Sequence, residues 1–375
     1  MASNVATHIV AVGDICVNRT NPDSIFDLIR DEISHADLAF CQIETTYSLR
    51  GAVNLAVHVP LRAAPENVSA IARAGFNVAS FASNHCMDWG EDACIDTITH
   101  LNSNGVQTIG AGRNLTEARK PLIVKHNGNS IGWLAYCSIL PPNYWAQPQR
   151  AGCAPARART FYEAIESDQP GTPSRVLSYP HEEDLNAMCS DIRTLKKSVD
   201  IVIVSMHWGV HFKEAEIASY QRAYGRSAVD SGADIILGHH AHILKPVEIY
   251  QGKPIFYSLC NFAFDLTYNP GQWDSPERVE RRLKLNPTWQ IDPEYTSYPF
   301  PRDSRKSILV RITCENKKIE RVSCAPVLIN KESQPRLLRR SDMEFDDVLS
   351  YLTRITKDQG LSTEYAVSGD ELVPR

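Results

Sequence analysis

The stretch Ala233-Asp234-Ile235-Ile236-Leu237-Gly238-His239-His240-Ala241-His242 decides how this chain is read, because an apolar run stops abruptly at three histidines. A short run of β-branched and aliphatic residues closed by glycine is the pattern of a strand covered on both faces. Ile235, Ile236 and Leu237 are therefore expected to end a buried strand, with the histidines at its carboxyl edge. In open α/β sheets that edge borders the crevice where ligands sit. His240 and His242 are alternate residues, so extended backbone would point them the same way, toward one ion or two adjacent ions. A histidine-rich turn without a ligand fits the segment alone equally well. The rest of the chain has to decide.

Working outward, four more apolar runs end in polar residues. His8 to Val12 runs into Gly13-Asp14, Leu38 to Ile43 into Glu44, Val78 to Ala82 into Ser83-Asn84-His85, and Ile201 to Met206 into His207-Trp208-Gly209-Val210-His211. Helical stretches alternate with these runs. One is opened by Asn21-Pro22-Asp23, with asparagine as cap and proline at the first helical position. Others run from Pro65 to Gly75, Gly90 to Leu101, Glu182 to Lys197 and Ala215 to Ser231. Alternating strands and helices give an α/β class. Five strand ends thus carry carboxylate, amide and imidazole groups, a set suited to a divalent metal ion such as Mn, Zn, Fe or Ca, one or two per chain.

Composition narrows the partners. A chain of 375 residues, 43% hydrophobic and 22% charged, can bury a large core, and a net charge of −5 argues against a nucleic-acid binder. A peptide or small amide-type substrate is expected instead. Ten cysteines carry no C-x-x-C pair, and Cys41, Cys137 and Cys260 fall in or beside strands as small core residues, which fits a reducing cytoplasm. Met1 to Ala6 lacks the pattern of a signal peptide, and no run approaches a membrane span, so neither export nor membrane anchoring is expected. Two stretches interrupt the alternation, about 141–174, with a short helical piece expected from Thr160 to Ile165, and 265–305, rich in aromatics. The second is expected either to contact substrate as a flap or to pack on its own aromatics. Ser307 to Thr313 and Glu320 to Leu328 read as a strand pair. The main domain is placed at 1–330, a C-terminal helical extension at 331–371, and a tag remnant at 372–375.

At this point the chain resembles the CapA family, also called the poly-gamma-glutamate capsule biosynthesis family, of the calcineurin-like metallophosphoesterase superfamily. The pieces that carry the resemblance are Gly13-Asp14, Ile43-Glu44, the run Ala82 to Gly90, His207-Trp208-Gly209, Gly238 to His242 and Tyr257 to Phe262. The resemblance implies a four-layer αββα sandwich with loop insertions. It also implies Asp14, Glu44, Asn84, His207, His240 and His242 as metal ligands and His85 as the acid/base histidine. His211 and His239 are further catalytic candidates, His239 alternatively serving only as a hydrogen-bonded imidazole behind the ligands. Asp88 is expected either to orient His85 or to cap the helix near Gly90.

Departures from the superfamily pattern matter here. Asp14-Ile15-Cys16 lacks the histidine usual in the first motif, Glu44 stands where a bridging Asp is usual, and Asn18 is a candidate substitute ligand. Three functions follow as expectations. The first is Cα epimerisation of a residue in a ribosomal, lasso-type precursor peptide, an activity of a subset of CapA-like proteins. The second is metal-dependent hydrolysis of a phosphoester or amide. The third is a role as a poly-gamma-glutamate capsule biosynthesis component.

Overall fold

The computed structural model describes residues 5–375, the Gln272 side chain excepted. Met1–Asn4, part of the segment read for a leader, lie outside the described residues. Two sheets carry the architecture. The larger runs from edge to edge as Tyr365–Ser368, Glu371–Pro374, Lys318–Ile329, Lys306–Glu315, Thr7–Cys16, Leu38–Ile43, Val78–Ser80 and Gln107–Ile109. The smaller runs Val247–Tyr250, Lys253–Phe256, Ile235–His239, Ile201–His207, Asn129–Cys137 and Leu122–His126.

Why two sheets pack face to face is visible in the side-chain alternation. Ile201 and Ile203 enter one core together with Ile235 and Leu237, whereas Val202, Val204 and Ile236 enter a second. The first core is shared with Ile9, Phe40 and Ala79 of the larger sheet, and Phe40 stacks on Trp133 across the interface at 5.3 Å between ring centroids. The second core is closed by helices Glu182–Lys196 and Ser219–Asp230 through Met188, Ile192, Tyr224 and Ala228. Helices Val68–Ala74 and Gly90–Ser103 bury Ile71, Ala74, Cys94 and Leu101 against the larger sheet. The result is the expected four-layer αββα sandwich. Among the described residues no helix is long and apolar enough to cross a membrane.

Three boundaries differ from the sequence reading. The piece expected to be helical from Thr160 is a strand, Ala158–Ala164, paired antiparallel with Ser174–Pro180 in a separate ribbon. Thr160, Phe161 and Tyr162 favour extended backbone, and pairing with the second strand satisfies it. Residues 331–371 are not an appendage. Helix Met343–Asp358 packs against Lys318–Ile329 of one sheet and Val247–Tyr250 of the other, burying Phe345, Val348, Leu352 and Ile355 in the shared core. Residues 372–375 are likewise inside the fold, since Leu372 is fully buried and pairs with Cys324.

The parallel strands Thr7–Cys16, Leu38–Ile43, Ile201–His207 and Ile235–His239 all stop at one end of the sandwich. Asp14 is held there by a close approach of backbone. Its N–H donates to the Cys260 carbonyl at 3.0 Å, and a Cβ on the preceding Gly13 would lie 1.9 Å from that same oxygen. Gly13→Ala must therefore push the 259–261 turn away from the first strand, at a cost of about 1–3 kcal/mol or more. Thermal melting should show a clear fall in Tm for this variant. An unchanged melting temperature would mean that Asp14 is not pinned by this contact.

Candidate metal centre

Each ligand-type residue reaches the site by a local device. Glu44 follows its strand directly, its N–H bonded to the Ile15 carbonyl at 2.9 Å, and is fully buried. The Ser83 hydroxyl donates to Glu44 Oε2 at 2.7 Å and accepts from the His85 N–H at 2.9 Å, so one serine sets both residues. His207 ends its strand fully buried. At the triple-histidine stretch the strand stops at His239, and the backbone turns left-handed at His240 (φ 86°) and His242 (φ 52°). The two rings therefore converge through a turn and not through the extended alternation expected from sequence. Non-glycine residues with positive φ are uncommon and cluster where surrounding structure enforces them.

These devices bring two overlapping triads together. Glu44, His207 and His240 form one, Asp14, Glu44 and His242 the other, each with ligand atoms within 4.8 Å of one another. Asn84 joins the first, its Oδ1 lying 2.7 Å from His207 Nε2 and 2.9 Å from His240 Nδ1. His242 Nδ1 pairs with Asn261 Oδ1 at 2.7 Å, Asn261 Nδ2 donates to the Tyr298 hydroxyl at 2.8 Å, and that hydroxyl donates to the Ser304 carbonyl at 2.6 Å. A ligand ring is thereby tied to the 265–305 segment.

Electrostatics shows what the cluster lacks. Among the described residues, the buried atoms Asp14 Oδ1 and Glu44 Oε1 have no hydrogen-bond donor, and neither do His207 Nδ1 or His211 Nε2 have a partner. Burial and neighbouring imidazoles push the His240 and His211 rings well below the usual histidine range, and burial lowers His242 and His239. Burial works against the Glu44 charge, yet His207, His85 and His242 hold its carboxyl well below the usual carboxylate range. Carboxylates beside imidazoles are the donor set of a divalent cation, and buried oxygens without donors are what a cation would satisfy. The residues fit a metal.

The remaining candidates separate. Asn18 is not in the site. It is exposed, and its side-chain amide donates to the Arg62 carbonyl at 3.3 Å, because the chain after Cys16 turns outward. His239 sits behind the ligands with Nδ1 3.3 Å from Asp14 Oδ1 and its ring against Phe40. His211 stacks on His240 at 3.8 Å between centroids and lines the cavity above the cluster. His85 presents Nε2 3.9 Å from Glu44, while its Nδ1 bonds Asp88 Oδ2 at 2.6 Å. Burial disfavours its charge, but Asp88, together with Glu44 and Asp14, outweighs that and raises the imidazole to about 9.

Asp88 is fully buried and does not cap the following helix. Besides His85 it accepts from the Leu61 N–H at 2.7 Å and from the Tyr144 hydroxyl at 2.7 Å. Tyr144 had no assigned role in the sequence reading, nor did Lys245. The latter is buried and pushed down to about 7 by burial, and its ammonium donates to the carbonyls of Lys213 and Glu216, fixing the loop that follows His211. Only an apolar-flanked lysine three residues past His242 could have flagged it.

Above the cluster lies a cavity of about 370 Å³, walled by Phe212, Phe264, Phe300, Trp273 and Trp289 and floored by Asn84, His85, His211, His240 and His242. The 265–305 segment packs on its own residues, with Tyr298 against Phe300 at 4.8 Å between centroids, and its aromatics also line the cavity. Trp289 packs on Phe212 at 4.4 Å and donates to the Pro299 carbonyl at 3.0 Å, and it also lines the cavity.

Comparison with known proteins follows the same stretch of chain. The family model described as "Bacterial capsule synthesis protein PGA_cap" matches residues 8–266. The chain is 29% identical over 320 residues to a PGA biosynthesis protein CapA of Bacillus subtilis, covering 80% of this chain and 76% of that protein. It is 31% identical over 261 residues to a probable polyglutamine synthesis accessory protein of Mycobacterium tuberculosis, covering 68% of this chain and 63% of that one. Among solved structures, a putative 5'-nucleotidase from Staphylococcus aureus in complex with alpha-ketoglutarate aligns with a TM-score of 0.44 at 13% identity, over 94% of this chain and 58% of that one.

Loss of a partner behind a ligand typically costs about 10–100-fold in metal affinity, so loss of a direct ligand costs more. Glu44→Gln, which serves both triads, and His240→Ala are expected to lose bound metal when assayed by elemental analysis after dialysis. Asn261→Ala should weaken binding within the smaller range, and Asn18→Ala should leave it unchanged. Full occupancy in Glu44→Gln, or loss in Asn18→Ala, would place the metal elsewhere.

Proposed function

The chain belongs to the bacterial capsule synthesis protein family PGA_cap, and on that premise we propose that it is a metal-dependent enzyme of capsule polymer synthesis that acts on an amide linkage of a glutamate polymer. The observation that carries the reading is the pair of triads sharing Glu44, set beneath a cavity with His85 at its floor. Relatives named for PGA biosynthesis and polyglutamine synthesis support an amide-linked acidic polymer as the substrate. All ten cysteines are free and buried, which supports work in a reducing compartment such as the cytoplasm.

Asp14, Glu44, Asn84, His207, His240 and His242 would hold the ion or ions, which supply Lewis acidity toward an amide carbonyl. The chain's own residues do the rest. His85 moves a proton at Nε2, and Asp88 orients the ring through Nδ1 and favours its protonated form. Tyr144 and the Leu61 N–H hold Asp88 in turn, so the imidazole cannot rotate away from Glu44. Phe212, Trp289 and Phe300 set apolar surface beside the floor of the cavity, which strengthens charge interactions there.

Cα epimerisation of a peptide residue uses the same groups, with His211 available as a second base, but it finds no counterpart in the relatives' names. One experiment reads both reactions. A γ-linked glutamate oligomer incubated with metal-loaded protein in deuterated water should yield fragments by mass spectrometry. A one-dalton gain without cleavage would shift the reading to Cα exchange. Neither change in a verified metal-loaded preparation would overturn the proposed reaction.

His85→Gln keeps bulk and hydrogen bonding without carrying a proton near neutral pH. It should retain metal and lose about 10²-fold or more in turnover. Tyr144→Phe should show a smaller loss with metal content intact. Near-normal turnover in His85→Gln would transfer the proton-carrying role to another residue.

A further inference from the structure

The mouth of the cavity is asymmetric in charge. Helix Pro276–Leu285 contributes Arg278, Arg281 and Arg282 to its lining, and these three are the charged Asp, Glu, Lys or Arg side chains that line it. Their spacing of i, i+3 and i+4 puts them on one face of the helix, with neighbouring Cβ atoms about 5–6 Å apart. Neither Glu277 nor Glu280 of this helix forms an ion pair with the three. Glu280 pairs with Lys284 at 2.7 Å, and the carboxylate nearest the three is Asp274, at 3.9 Å from Arg282.

The guanidinium groups are only partly used. Arg278 donates to the His58 carbonyl at 2.7 Å across the cavity wall, and Arg282 donates to the Trp273 carbonyl at 3.2 Å. Arg282 Nε is buried without a partner, and Arg281, exposed, has neither a hydrogen bond nor an ion pair among the described residues. A buried donor left unpaired is costly. Arginine's planar fork matches a carboxylate with two parallel bonds, and a row of such forks beside an apolar wall suits a chain with regularly placed carboxylates and an uncharged backbone.

We infer that Arg278, Arg281 and Arg282 form a carboxylate-reading subsite that holds an acidic polyamide chain beside the metal centre. The inference rests on the proposed function and adds the substrate-reading residues to it. Arg281 and its neighbours grip side carboxylates, while the aromatic wall of Trp273 and Trp289 covers the backbone. The amide nearest the floor is thereby presented to His85.

Isothermal titration of the metal-loaded protein with a γ-linked glutamate oligomer tests this. Arg281→Gln has no partner to lose in the fold and should weaken binding about 10-fold, with a shallower dependence on salt. Arg278→Gln/Arg281→Gln should weaken it further, and an oligomer with methyl-esterified carboxylates should bind both forms alike. Equal affinity of wild type and both variants for the free-acid oligomer would overturn the subsite and leave the proposed function standing. If wild type does not bind the γ-linked oligomer, the proposed function fails. Titration with an α-linked polyglutamate then decides the subsite, since Arg281-dependent binding keeps it and Arg281-independent binding removes it.

Discussion

Two fully buried carboxylates, Asp14 and Glu44, converge at one end of the sandwich, and each keeps an oxygen without a donor. Leaving such charge uncompensated in the interior costs on the order of several kcal/mol per ion. Most of the surrounding structure answers to this constraint. Ser83 satisfies one Glu44 oxygen and the His240 N–H donates to Asp14 Oδ2 at 3.1 Å, while burial disfavours the charged form of the His240 and His242 rings beside them. A cation would complete that balance, and because Glu44 belongs to both triads, any two positions there would be coupled through a single side chain.

The sandwich explains how residues more than two hundred positions apart can meet so closely. Parallel strands in two facing sheets end at the same level, so short polar tails at those ends converge without long loops. Gly13 allows the 259–261 turn to lie against the first strand, and Asn261 at that turn reaches His242. From Asn261 the hydrogen bonds run on to Tyr298 and Ser304, which links the metal centre to the segment that walls the cavity. The candidate ligands and the wall of the cavity are thus joined by one hydrogen-bond network.

Much of this was legible from residue pattern alone, and the failures have identifiable causes. Strand ends at Asp14, Glu44, Asn84, His207 and His240 could be read because buried parallel strands are near-continuous apolar runs with abrupt stops. The left-handed turns at His240 and His242 could not, since neither residue is glycine and only tertiary packing enforces them. Asn18 was a chemically reasonable ligand whose position depends on where the chain turns after Cys16. Tyr144 lies 56 residues from the Asp88 it holds, inside a stretch with no periodicity to place it. The C-terminal residues from 331 onward looked peripheral because nothing in their own short pattern shows that Pro335–Leu337 and Glu371–Pro374 pair with Lys318–Ile329.

Anomalous diffraction from crystals grown with Mn or Zn, recorded at the absorption edge of that metal, tests the central claim most directly. Peaks are predicted in the space bounded by Glu44, His207 and His240 and by Asp14, Glu44 and His242, with Glu44 adjoining both. An absence of anomalous density there, or a peak at some other cluster of side chains, would contradict the account.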